Sequence, residues 1–255
     1  MTNNRTRKQA SRAVAAARGT RRGNTPMAVG IVVVVVLALA VGGGVWYQKH
    51  RAAQAAESVI PVQQIADPSI PAVFDPGTGT VLVGKDTAKV TVDAYEDFLC
   101  PICGDFERAN FGDLEQRLSG GAIKIRYHML NLLADRSNPP GYSTIAANTA
   151  LAVATADPKE FLAFHKSLFW KQPEENGTGW TQDQLSNLAQ RLGVTGDKFT
   201  SLVNGSTYAA KIQQNLQTAE NDQSLWQSGN FGTPTVLVNG KLVNWQQPGW
   251  LDIAA

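Results

Sequence analysis

The sequence predicts a mixed α/β domain, a sheet covered by helices, behind a single N-terminal transmembrane helix. Three observations carry this. Short segments of alternating apolar and polar residues flank a long block of helical periodicity. A turn-forming Asn239-Gly240 sits between two further short strands near the C-terminus. And the run from Met27 to Tyr47 contains no charged residue.

The last observation fixes the organisation. About 20 apolar residues at 1.5 Å each cover a hydrocarbon core of about 30 Å. Trp46 and Tyr47 fall where an interfacial aromatic belt belongs, followed by Lys49 and Arg51. Residues 1–26 hold seven basic side chains and no acidic one, so they are expected on the cytoplasmic side. The net charge of +2 averages this tail with a mildly acidic remainder, which removes the case for a nucleic-acid partner. The apolar run exceeds the 7–15 residues usual in a signal peptide, which favours a retained anchor; small residues at Ala53 and Ala55 keep cleavage open. The expected division is a tail (1–26), an anchor (27–47), an extracytoplasmic linker (48–79) and a folded domain (80–255). The linker expectation rests on Pro61, Pro68, Pro71, Pro76, Gly77 and Gly79.

Within the domain, Val81–Val83 reads as an edge strand and Lys89–Tyr95 as an alternating strand. A helix runs from Pro101 to Leu118, with proline in the favoured first turn and Gly120-Gly121 as the stop. Ala122–Leu130 places Ile123, Ile125, Tyr127 and Met129 on one face of a second strand. Helical patterns follow at 144–156, 159–170, 181–192 and 208–227, then Thr235–Val238 and Lys241–Val243 around the Asn-Gly turn. A last short helix is expected from Pro248.

Cys100 and Cys103 are the only cysteines. A disulfide closing so small a ring restricts the unfolded chain very little, so the pair serves poorly as a staple and well as a redox switch. Cys100 falls at a strand-to-helix junction, where unpaired N–H groups and the helix dipole favour a thiolate. It is the expected nucleophile, and Cys103, one turn on, the expected resolving thiol. A zinc site needs about four ligands. The only supplements are His50 beside the membrane segment, His128 on the polar parity of its strand, and His165 inside an apolar helix, so no metal is expected.

The segment Phe98-Leu99-Cys100-Pro101-Ile102-Cys103 after a hydrophobic strand, with Phe231-Gly232-Thr233-Pro234-Thr235 much later, resembles the DsbA-like branch of the thioredoxin superfamily. Its membrane-tethered Gram-positive and actinobacterial type is the nearest in pattern. Tyr142-Ser143-Thr144 leading into Ala146-Ala147-Asn148 resembles the start of that branch's inserted helical domain. The resemblance covers about residues 80–255 and implies a thioredoxin-like fold with a helical insertion at about 131–228. It implies a cis peptide bond at Pro234, with the Thr233 backbone presented across from Cys100 to an extended substrate peptide.

It further implies a thiol–disulfide oxidoreductase without a cofactor, most simply one donating its disulfide to exported proteins with cysteine pairs. A membrane quinone-linked protein, DsbB-like or VKOR-like, would reoxidise it. The alternatives are a reductase or isomerase of the same fold, or a tethered peptide-binding or chaperone module with a vestigial redox pair. Two positions depart from the family pattern. Ile102 stands where the strongest oxidants carry histidine, and so adds nothing to the stability of the Cys100 thiolate. Ala94 stands where many thioredoxin-like proteins carry a buried carboxylate. Glu96, of the same strand parity as Ala94, is the candidate substitute as a tuning or proton-relay group, against the plainer reading of a solvated strand-end charge.

Overall fold

The computed structural model describes residues 59–252. The expected tail and transmembrane segment lie outside the described residues, as does the end of the expected C-terminal helix, and no helix among the described residues is long and apolar enough to cross a membrane.

Six strands form one sheet in the order β1-β2-β4-β3-β5-β6. They are β1 (Ala72–Asp75), β2 (Thr80–Val83), β3 (Val90–Glu96), β4 (Ile123–Met129), β5 (Thr235–Val238) and β6 (Lys241–Leu242). The central pair β3 and β4 is parallel, joined through helix α1 (Pro101–Gly120), because parallel neighbours need a crossover. All other pairs are antiparallel. Strict alternation of buried and partly buried residues along β3 and β4 puts Val92, Ala94 and Glu96 with Ile123, Ile125, Tyr127 and Met129 on one face. At the β5–β6 turn, Asn239 and Gly240 both take positive φ, 50° and 75°, the conformation a two-residue hairpin requires.

Between β4 and β5 come α2 (Tyr142–Ala156), α3 (Phe161–Trp170), α4 (Gln182–Arg191), α5 (Asp197–Asn204) and α6 (Ala209–Asn221). α4 opens with a capping box in which Thr181 and Gln184 satisfy each other's backbone N–H groups. α5 has no counterpart in the sequence reading, which placed nothing between residues 192 and 208; its eight residues bury only Phe199 and Val203, too short a pattern to stand out. The main core joins the β3/β4 face to α1, α2 and α3. A second cluster on the opposite face packs Leu237 and Tyr95 against Leu216 and Ala219 of α6.

The linker expectation needs correction. β1 lies within 48–79 and forms the sheet edge, so β2 is an interior strand. Among the described residues, Ile60 is already packed: it is 1% exposed, and its carbonyl accepts a hydrogen bond from Arg191. Ile70 is also buried, and the Ala66 N–H donates to Glu115. Isolated apolar residues between prolines anchor this segment, a pattern that resembles a tether in sequence because it has no periodicity.

Candidate active site

Cys100 is the N-cap of α1, with extended backbone angles (φ −69°, ψ 116°), and Pro101 occupies the first helical position. Proline there loses no hydrogen bond and brings a pre-set φ, which is why the helix starts at this residue. No side chain caps this terminus, so its free N–H groups face the Cys100 sulfur.

Two side chains, one buried and one partly buried, hold the turn between β3 and α1. The Asp97 carboxylate accepts from the Leu99 N–H and from the Leu133 N–H, both at 2.8 Å, tying the loop before Cys100 to the loop after β4. The Gln172 amide, just past α3, donates to the carbonyls of Phe98 (3.1 Å) and Cys100 (2.7 Å). Gly104 makes room for it: a Cβ at that position would lie 2.2 Å from Gln172 Oε1. Neither Asp97 nor Gln172 was singled out in the sequence, because a polar residue's value as a loop clamp depends on partners distant along the chain.

On the far side, Thr233–Pro234 is a cis peptide bond immediately before β5. Gln227 pins this loop by donating to the Pro234 carbonyl and the Thr235 hydroxyl. The Cys100 Sγ–H donates to the Thr233 carbonyl at 3.2 Å. The structure therefore brings Cys100, Cys103, Pro101, Thr233 and Pro234 to one place. Ile102 is 52% exposed beside a hollow of about 250 Å³ lined by Gly232, Thr233, Pro234, Val243 and Trp245.

Both cysteines are free thiols with different environments. Cys100 is lowered to about 7 by hydrogen bonding from the Cys103 thiol, against the opposing effect of burial; the Thr233 hydroxyl and the N–H groups of Cys103 and Ile102 add to the lowering. Cys103 is fully buried, and burial first, then the Cys100 sulfur and the Glu96 charge, push it well above the ordinary thiol range. This asymmetry makes Cys100 the thiolate and Cys103 a thiol that ionises only when driven.

Glu96 is not a solvated strand end. It is fully buried, and its Oε2 lies 2.9 Å from His165 Nε2. Across the imidazole, His165 Nδ1 lies 3.9 Å from Glu107 Oε2, and all three side chains are 0% exposed. Burial lifts Glu96 to about 8, lifts Glu107 well above the carboxylate range and lowers His165. Among the described residues these three are the one group close enough to chelate a cation. The imidazole turns a different nitrogen to each carboxyl, an arrangement that suits shared protons. Sequence reasoning passed over Glu107. Its signal was an acid four residues after Cys103 on the apolar stripe of α1 that also carries Phe106, Phe111 and Leu114. His128, set aside with His165, bonds Asp93 at 3.0 Å and stacks on Tyr95.

A sheet with a parallel core, an N-terminal-helix cysteine pair and an opposing cis-proline define a protein of the thioredoxin-fold dithiol class. A family described as Thioredoxin matches residues 77–249, and the chain belongs to it, in its DsbA-like branch. Among solved structures, DsbA of Mycobacterium tuberculosis in its reduced form is 34% identical (TM-score 0.56, covering 70% of this chain and 83% of that one). BdbD of Bacillus subtilis is 25% identical (TM-score 0.57, 72% and 95%). Serine/threonine-protein kinase PknE of Mycobacterium tuberculosis is 32% identical over 175 residues, 67% of this chain. The chain spans only 30% of the length of PknE.

Proposed function

We propose that this chain is an extracytoplasmic thiol–disulfide oxidoreductase that donates the Cys100–Cys103 disulfide to exported proteins with cysteine pairs. The observation that carries the reading is the unequal pair: a thiolate-favouring Cys100 facing the Thr233 carbonyl, and a buried, thiol-favouring Cys103 one turn inside the helix. A substrate thiolate attacks Cys100 Sγ, and Cys103 leaves the broken disulfide and takes up a proton. The substrate's second thiolate then attacks its own sulfur in the mixed disulfide, Cys100 leaves as a stabilised thiolate, and the substrate carries the new disulfide. The hollow beside Ile102 receives the substrate segment, with the Thr233 backbone available for strand-like pairing. The relatedness to DsbA and BdbD supports this chemistry.

Residues 27–47 anchor the chain as a single-pass protein with residues 1–26 in the cytoplasm, a reading supported by the length of the uncharged apolar run and the charge asymmetry across it. A membrane quinone-linked protein, DsbB-like or VKOR-like, restores the disulfide. The test is trapping: full-length Cys103→Ser should accumulate mixed disulfides on Cys100 with exported proteins, and Cys100→Ser none. Equal trapping by both variants would defeat the assignment.

A further inference from the structure

Glu96, Glu107 and His165 come from three elements, the end of β3, α1 and α3, and all three are 0% exposed. One donor atom from each lies within 4.8 Å of those of the other two. Glu96 Oε1, both Glu107 carboxyl oxygens and His165 Nδ1 are buried, and no donor reaches them save a proton that the carboxyls share. Two carboxyls sealed from water are costly unless protons or a cation neutralise them. No basic side chain among the described residues pairs with either carboxyl except His165.

A network kept by protons alone would close into hydrogen bonds, and one side of this one does: Glu96 Oε2 meets His165 Nε2 at 2.9 Å. The other side stands open. Glu107 Oε2 is 3.9 Å from His165 Nδ1, beyond hydrogen-bond reach. Two ligands of one zinc at the tetrahedral angle lie about 3.4 Å apart, so about half an ångström of contraction closes this gap on a cation.

The surroundings select among cations. Rings of Tyr127, Phe98, Phe161 and Phe169 wall the imidazole, with centroids 4.4 to 5.6 Å away. Calcium takes about six to eight oxygen ligands and magnesium keeps several waters, which three side chains enclosed by rings do not supply. Zinc accepts imidazole and carboxylate together and is satisfied by about four donor atoms. The four atoms that lack an outside donor make that number, with Glu107 binding through both oxygens.

We propose that Glu96, Glu107 and His165 form a buried zinc site, separate from the Cys100–Cys103 pair, that ties the end of β3 to α1 and α3. In the metal-free protein burial keeps protons on the carboxyls, and zinc displaces them as it binds. The role is structural: the cation fixes the strand end from which the redox turn departs. The ligand count that speaks against a metal at the cysteines does not reach this cluster, which the fold assembles from distant parts of the chain.

The proposal is independent of the redox reading and is tested with the disulfide closed, so that no thiolate competes for metal. Oxidised full-length protein is produced with zinc in the medium and incubated with zinc just below its unfolding temperature, because the site is sealed. Gel filtration then removes loose metal. About one zinc per chain should remain, and X-ray absorption should show one imidazole with oxygen ligands at about 2.0–2.2 Å and no sulfur. Glu107→Gln and His165→Gln should each weaken zinc at least about a hundredfold in competition with a chromophoric chelator. Zinc should raise the unfolding temperature of the wild type and not of the variants. No zinc retained by the wild type, a shell with sulfur or several imidazoles, or unchanged affinity in both variants overturns the site. Should neither variant fold, the wild-type metal count and ligand shell decide the matter alone.

Discussion

The sulfur of Cys100 lies 3.2 Å from the carbonyl oxygen of Thr233, a residue 133 positions later in the chain. That contact joins the two halves of the site, the helix terminus that stabilises a thiolate and the loop that faces it. With Cys100 lowered to about 7 and Cys103 raised, alkylation of the reduced protein should be confined to Cys100 and should reach half its limiting rate near pH 7. Mass mapping of iodoacetamide adducts across pH 5–9 checks this. Modification of Cys103 first would reverse the assigned roles.

The clamp on the redox turn can be tested separately. Gln172→Ala removes two hydrogen bonds to the carbonyls of Phe98 and Cys100 and should cost about 1–3 kcal/mol in urea unfolding. Gly104→Ala drives a methyl group into the same amide and should cost a comparable amount. Because both act on one contact, the double variant should lose less than the two singles together. Simple additivity would show that Gln172 and Gly104 do not meet.

Asp97 accepts two backbone N–H groups that have no other partner in view, one on each of two loops. Asp97→Ala strands both and should destabilise the domain by about 2–5 kcal/mol, whereas Asp97→Asn keeps one acceptor oxygen and should cost less. Chemical denaturation of the two variants gives the comparison. An alanine variant as stable as the wild type would remove Asp97 from the account.

The buried Glu96 has a definite effect on stability against pH. Its carboxyl moves from 4.5 to about 8 on folding, so between these values the folded state keeps a proton that the unfolded chain has released. The Glu96 contribution to stability is then fullest below pH 4.5 and declines as pH rises toward 8, the direction linkage requires when the native state binds more protons. Glu107, raised by the same burial, acts in the same sense. Glu96→Gln should flatten the decline over pH 5–8. His165, lowered by burial, acts in the opposite sense over this range, so the difference between the two profiles is the readout. A Glu96→Gln profile that falls as steeply as the wild type would contradict the buried neutral carboxyl.

Much of this was legible in the sequence because it is local. The strand-to-helix position of Cys100, the proline opening α1, the parity of Glu96 and the Asn239-Gly240 turn all follow from residues adjacent in the chain. The surroundings of Cys103 were not legible, because His165 comes to Glu96 across 69 residues and Gln172 to Cys100 across 72. A lone histidine or glutamine in a helical block says nothing of its partner. The strand β1 escaped for the opposite reason: its four residues, AVFD, sit between proline-rich turns and give too short a period to read.

The central claim is that the Cys100–Cys103 disulfide is an oxidant, and its reduction potential tests that most directly. Stabilising the Cys100 thiolate stabilises the reduced form, while the exposed Ile102 contributes no charge to it. Equilibration of the protein with glutathione buffers should give a value between those of DsbA and thioredoxin, about −120 and −270 mV. Ile102→His should move it toward DsbA. A wild-type potential at or below about −270 mV would make disulfide donation unfavourable and would contradict the account in favour of a reductase.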